Sequence, residues 1–222
     1  MSELEVYQWG LEDYEMVLDW QRQFTTTRGP DTLDQVWCLQ HPPVYTLGLS
    51  GRREHLLNTG KIPVCQSDRG GQVTYHGPGQ LVMYLLLDLA RHGLTVKKYV
   101  YSLEQAILNM LLDLGIHAAR LEGAPGIYVH DKKLAALGIR IRKGCCYHGI
   151  SLNVDMDLMP FSGINPCGYP GLGVTQMSDL GHTRDVDEFA LSLLPYLMDQ
   201  LGLQYYSLAS GLHGCKIQNS NL

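Results

Sequence analysis

The sequence predicts an α+β fold, a single domain with a mixed β-sheet flanked by helices, and three observations carry the prediction. Apolar residues recur with strand periodicity at several separate places, three stretches show helical spacing instead, and no segment is long or biased enough in composition to act as a linker. At 222 residues, 45% of them hydrophobic and 18% charged, the chain has the size and composition of one packed core. Its 24 glycines and 10 prolines follow no fixed period, which excludes collagen-like and repeat architectures. The domain is placed at residues 1–207, with a loose polar tail at 208–222.

The elements follow in order. Residues 4–9 alternate apolar and polar, as a strand does, and from Leu11 the spacing Leu11, Tyr14, Val17, Leu18 is helical. A short strand at 34–39 ends at His41-Pro42-Pro43, because the residue before a proline is pushed out of helical geometry. A turn-rich stretch at 47–61 leads to a strand at 62–66. The glycine-rich stretch 69–80 reads as a loop around one short strand that feeds the apolar run 81–88, a buried strand. Thr95 then caps a helix whose apolar face is Val96, Tyr99, Val100, Leu103, Ile107, Met110, Leu111 and Leu114, and which stops at Gly115. Strands are expected at 126–129, 133–142 and 147–153, the second showing the alternation Ile139-Arg140-Ile141-Arg142. Turns fill 159–173, and a last helix spans 186–201, kinked or split by Pro195.

Composition excludes several function classes. The longest apolar run, 81–87, is too short to span a bilayer, and no basic region precedes a hydrophobic stretch at the N-terminus, so a soluble, unexported, cytoplasmic protein is expected. Six cysteines without framework spacing (Cys38, Cys65, Cys145, Cys146, Cys167 and Cys215) fit reduced thiols. A net charge of -5 argues against a general nucleic-acid binder.

Among the cysteines, Cys167 stands apart. In Asn165-Pro166-Cys167-Gly168-Tyr169-Pro170-Gly171 it is either an approachable thiol on a rigid loop or a small packing residue in a turn. Adjacent Cys145 and Cys146 would point to opposite faces of a strand, so together with His148 they make a poor metal site. Cys38 and Cys65 read as buried hydrophobes. The glycine loop lacks both dinucleotide and P-loop patterns, but offers unobstructed backbone amides beside Arg69 and His76. Lys133, heading an apolar segment, is a solvated flank unless a thiol lies near enough for its ammonium to stabilise the thiolate.

Four blocks together resemble one family. They are Ser67-Asp68-Arg69-Gly70-Gly71-Gln72-Val73-Thr74-Tyr75-His76-Gly77-Pro78-Gly79-Gln80, then Lys133 to Gly138 with Ile139-Arg140, then His148-Gly149-Ile150-Ser151-Leu152-Asn153, then Ile164-Asn165-Pro166-Cys167-Gly168. In order and spacing they are similar to lipoyl(octanoyl) transferases, over roughly residues 4–205. The resemblance implies the fold of biotin and lipoate protein ligase catalytic domains. It also implies an acyltransferase that moves an octanoyl group from octanoyl-acyl carrier protein to a lysine ε-amine of a lipoyl domain, without metal or cofactor.

On the same resemblance, Cys167 is the acyl-thioester nucleophile and Lys133 the residue that favours its thiolate. The substrate-binding residues are Arg69, Gly70, Gly71, Gln72, Val73, Thr74, Tyr75 and His76, then Ala136, Leu137 and Gly138, then Gly149, Ile150 and Ser151. Thiolate attack on a thioester exchanges like bonds, and Lys133 can then take a proton from the acceptor amine. Backbone amides of the glycine loop or near Cys167 are the candidate oxyanion donors. The implied partners are octanoyl-acyl carrier protein, lipoyl domains of 2-oxoacid dehydrogenase complexes and glycine cleavage H protein, with the enzyme itself a monomer and neither membrane nor nucleic acid involved. Two alternatives remain within reach of the residues: an ATP-dependent lipoate-protein ligase, and a non-catalytic lipoyl-binding module. A thioesterase would differ only in using water to resolve the intermediate.

Carrier and lipoyl domains in such a system are acidic, and the local charge suits them. Lys132, Lys133, Arg140, Arg142 and Lys143 form a run with no acidic residue between its ends. With Arg69 these are expected to make a basic face beside the active site, Arg140, Arg142 and Lys143 steering the carrier protein.

Overall fold

A computed structural model describes residues 3–203 and 205–210. In chain order the elements are β1 (Glu3–Leu11), α1 (Tyr14–Thr27), β2 (Asp34–Gln40), β3 (Val44–Leu47), β4 (Val64–Gln66), β5 (Val73–His76), β6 (Gln80–Leu86), α2 (Val96–Asp113), β7 (Ala119–Leu121), β8 (Ala124–Val129), β9 (Lys132–Arg142), β10 (Cys145–Asn153), α3 (Val186–Leu201) and β11 (Tyr205–Ser210), with short 3-10 turns among the loops. Among the described residues, eight strands form one sheet in the order β11-β1-β2-β6-β10-β9-β8-β7, and β4-β3-β5 form a smaller one. The large sheet is mixed: β1 runs parallel to β2 and β11, whereas β6 is antiparallel to β2 and β10. This is the expected α+β architecture.

Local chemistry sets the helix ends. The Asp13 side chain accepts from the Met16 amide to open α1, and Thr95 accepts from Lys98 to open α2. Asp185 and Glu188 close a capping box at the start of α3. The α3 helix runs unbroken through Pro195, contrary to a split there. Pro195 lies on the exposed face, and Leu191, whose carbonyl loses its amide partner, is 41% exposed, so the missing bond falls on the solvent side of the helix.

Three strands lay outside the expectation. The β3 strand begins directly after Pro43 and is fixed by pairing with β4 and β5, and the three-residue β7 hangs on the edge of β8. The β11 strand continues through Ser210 along β1, so a tail placed from 208 begins inside a paired strand. The remainder of that tail, with Cys215, lies outside the described residues.

Each face of the large sheet carries its own core. Leu85, Leu103, Ile107, Leu134, Phe189 and Leu193 fill one layer with α2 and α3. Trp9, Trp37, Tyr84 and Leu86 fill the other with α1, the Trp9 and Trp37 rings 4.4 Å apart. Tyr45, Val73, Tyr75 and Phe161 make a third cluster on the small sheet. Cys38, Cys65, Cys145 and Cys146 are buried free thiols, and burial pushes Cys38, Cys65 and Cys146 up to about 12. No helix among the described residues is long and apolar enough to cross a membrane.

Candidate active site

The cleft between the glycine loop and the β6-β10-β9 part of the large sheet collects most of the residues singled out above. Pairing explains how: Gly149 lies opposite Tyr84 on β6 and Gly138 on β9, and Ser151 lies opposite Val82 and Ala136. The β5 strand and the loop before it close the cleft from the other side.

Lys133 and Cys167 meet at one end. Lys133 Nζ lies 2.7 Å from Cys167 Sγ and donates a second bond to the Pro125 carbonyl at 2.9 Å. A β-bulge makes this possible. Ile127 pairs with Ala135 but Tyr128 with Lys133, so β9 carries an extra residue, and neighbours Leu134 and Ala135 both enter the core. The lysine is thereby re-aimed, although only 4% exposed. Gly126 makes room for it: a Cβ there would sit 2.8 Å from Lys133 Cε and 2.6 Å from the Ala135 carbonyl, at φ +140°.

The loop bearing Cys167 is clamped to the same strand. The Lys133 amide donates to Gly173 and the Thr175 amide to Lys133, while the Asn165 amide donates to His55. Cys167 itself has φ +56° and ψ 16°, a left-handed conformation uncommon for a residue with a Cβ. The amides of Gly168, Tyr169 and Gly70 donate to the Asn165, Pro166 and Ile139 carbonyls. These three are therefore not free to bind an oxyanion.

Of the expected binding residues, Arg69, Gly71, Gln72, Val73, Thr74 and His76 line the cavity with Cys167, as do Ala136, Leu137, Gly138, Gly149, Ile150 and Ser151. Gly70 and Tyr75 do not. Gly70 is bonded back to β9, and Tyr75 packs edge-on against Phe161 in the small-sheet core. Arg69 is buried, not part of an exposed basic face: it donates to the Thr46 carbonyl and hydroxyl and to the Gly70 carbonyl. Burial pulls its guanidinium below the ordinary value, against the attraction of Tyr14, Cys167 and Tyr84. Arg140, Arg142 and Lys143 are exposed but lie at the far end of β9. At about 3.3 Å per residue, Arg140 is roughly 23 Å along the strand from Lys133, so Arg140, Arg142 and Lys143 do not flank the thiol.

Sequence reasoning missed Tyr14, Val82 and Tyr84, and left His148 without a role. All four line the cavity. Tyr14 and Tyr84 are hidden in apolar helix and strand patterns, and only their hydrogen bonds mark them. Tyr14 donates to Ser67 at 2.7 Å, and Tyr84 donates to His41 Nε2 at 2.7 Å. That direction is set by His41 Nδ1, which must donate to the Glu12 carbonyl. His148, at φ +60°, is bonded through Nε2 to Asp68, which also accepts from Tyr147 and Arg22. Burial pushes the Asp68 carboxyl up, but the hydrogen bonds from His148 and Tyr147 outweigh it and hold the group well below the usual carboxylate range. Among the described residues no three His, Cys, Asp or Glu side chains converge as metal ligands would.

Three buried histidines make the site acid-sensitive. Burial holds His41 down to about 4 and His76 down to about 3, and lowers His148 as well. From pH 6.5 down to about 4 the unfolded chain therefore binds protons that the folded chain refuses, and stability falls as pH falls. The slope is up to about 1.4 kcal/mol per pH unit for each histidine. Melting temperature should drop steeply between pH 7 and 5, and a flat profile would contradict these buried neutral imidazoles.

Comparison with known proteins shows the family and the fold. The family model of the lipoyl protein ligase A/B catalytic domain matches residues 13–197. The octanoyltransferase of Alkalilimnicola ehrlichii is 54% identical over 181 residues, covering 82% of this chain and 84% of that one. The octanoyltransferase of Pseudomonas entomophila is 52% identical over 192 residues, covering 86% and 89%. Among solved structures, that of a bipartite lipoate protein ligase and its E2 lipoyl domain from Thermoplasma acidophilum superposes with a TM-score of 0.76 at 16% identity, over 95% of this chain and 88% of that one. The biotin protein ligase of Aquifex aeolicus superposes at 0.54 and 13% identity, over 90% and 68%. These distant structures share the fold, and the matched family model spans most of the sequence. The chain belongs to the lipoyl protein ligase A/B catalytic-domain family.

Proposed function

We propose that this protein is an octanoyltransferase, moving an octanoyl group from octanoyl-acyl carrier protein to a lysine ε-amine of a lipoyl domain through a thioester on Cys167. The observation that carries the reading is the 2.7 Å contact of Lys133 Nζ with Cys167 Sγ at the mouth of a cleft lined by Val73, Val82, Ala136, Leu137 and Ile150. An ammonium there favours the thiolate. The sulfur attacks the thioester carbonyl, the carrier thiolate leaves with a proton from Lys133, and the apolar walls hold the chain. The amine of the acceptor then attacks, gives its proton back to Lys133, and releases Cys167 as the thiolate.

The acceptors are lipoyl domains of 2-oxoacid dehydrogenase complexes and the glycine cleavage H protein, and the enzyme works as a cytoplasmic monomer whose catalytic domain takes in β11. Cys167 separates this reading from an ATP-dependent ligase, whose adenylate chemistry needs no nucleophilic thiol. Incubation with octanoyl-acyl carrier protein should add one octanoyl group to the protein by intact mass, and apo lipoyl domain should then accept it without ATP. Absence of the adduct, dependence on ATP, or equal turnover to free octanoate without acceptor would each reject the proposal.

A further inference from the structure

With the amides of Gly70, Gly168 and Tyr169 committed elsewhere, the negative charge that develops on the carbonyl oxygen needs other donors. The geometry points to two side chains, Gln72 and His55, as the oxyanion donors. The assignment rests on the acyl-transfer reading and names residues that the reading leaves open.

Both side chains face Gly168, the residue after the nucleophile. A Cβ placed on Gly168 would lie 3.3 Å from Gln72 Cγ, 3.7 Å from Gln72 Cδ and 3.3 Å from His55 Nε2. Gly168 has φ +81° and no side chain, so this space stays open beside Cys167, and Gln72 lines the same cavity as the sulfur.

Each group also has an N–H to spare. The Arg52 backbone amide donates to Gln72 Oε1 at 2.9 Å, which fixes the side-chain amide and leaves both N–H bonds of Gln72 Nε2 unspent among the described residues. Asn165 Nδ2 donates to His55 Nδ1 at 3.3 Å, so His55 carries its proton on Nε2, the nitrogen beside Gly168. Glu54 Oε1, 3.8 Å from His55 Nε2, is too distant to take that N–H as a hydrogen bond. Donors fixed before the substrate arrives need no reorganisation when charge appears.

In the step they serve, Cys167 Sγ forms a bond to the carbonyl carbon while the C=O π pair moves onto oxygen. That oxyanion accepts N–H bonds from Gln72 and His55. Its collapse restores C=O and breaks the bond to the carrier sulfur, which leaves with the Lys133 proton. The same two donors receive the second oxyanion when the acceptor amine attacks.

The test compares two reactions of one thiol. Acylation by octanoyl-acyl carrier protein passes through an oxyanion, whereas alkylation by iodoacetamide displaces iodide and does not. Gln72→Met keeps the length of the side chain and removes the N–H donors without placing a charge beside the thiolate, and His55→Ala removes the imidazole. For each variant, single-turnover acylation should slow by about 10²–10³-fold, while Cys167 alkylates within about twofold of wild type. Acylation and alkylation falling together would show a structural role and overturn the assignment, as would acylation at the wild-type rate in both variants. A wild type that alkylates but never acylates would instead reject the acyl-transfer reading itself.

Discussion

Cys167→Ser should abolish octanoyl transfer. Serine preserves the size and the left-handed turn at this position, but its hydroxyl is not ionised near neutral pH, and Lys133 at 2.7 Å cannot change that. Residues that act as one unit lose most of their catalysis when any member is removed, so a fall in kcat of about 10⁴-fold or more is expected. The octanoyl adduct on intact protein should disappear as well. A serine variant that still turns over within tenfold of wild type would mean that the acyl group never rests on this residue.

Lys133→Met should come close to the same loss. Methionine fills most of the space but leaves the sulfur without a cation and removes the group that carries the proton between the two half-reactions. A fall of about 10³-fold in kcat is expected. Because the two residues form one device, the double variant Cys167→Ser with Lys133→Met should be no slower than Cys167→Ser alone. Gly126→Ala provides an intermediate case: the new methyl must displace Lys133 Cε or the Ala135 carbonyl, and a shift of under an ångström costs about 10²-fold in a well-oriented site. Multiplicative losses in the double variant, measured by steady-state turnover, would show that lysine and thiol act independently.

Several features were legible because local chemistry alone decides them. The Thr95 cap and the apolar face behind it mark α2, whereas the Pro-Cys-Gly frame by itself leaves Cys167 open between an approachable thiol and a packing residue, and only the family resemblance chooses. The partnership of Lys133 was not legible from spacing, and the reason is physical. The strict alternation at 139–142, extended back along β9, places Lys133 on the same face as Ala135, Leu137 and Ile139. The extra residue at Leu134 breaks that alternation, and nothing in the segment Lys133-Leu134-Ala135 announces a bulge. Only the family resemblance tied the lysine to the thiol. His55 was invisible for another reason: it lies in a turn-rich stretch 110 residues from Asn165, and only the tertiary fold brings them together. Arg69 and the basic run at 140–143 share a charge sign, but the sequence cannot tell a buried cation from an exposed one.

The backbone at Cys167 has a consequence for how such a protein can change. A left-handed residue with a Cβ costs about 1–2 kcal/mol relative to glycine, a noticeable share of the margin by which a domain of this size stays folded. The proposed nucleophile is therefore held in place at the expense of the fold, and the neighbouring sequence already favours glycine, with Gly168 and Gly171 also left-handed. Selection for thermal stability alone would drift toward replacing a residue that the proposed chemistry requires. A heat-resistant relative must gain its stability elsewhere, in the cores around α1, α2 and α3, and leave this strained turn untouched.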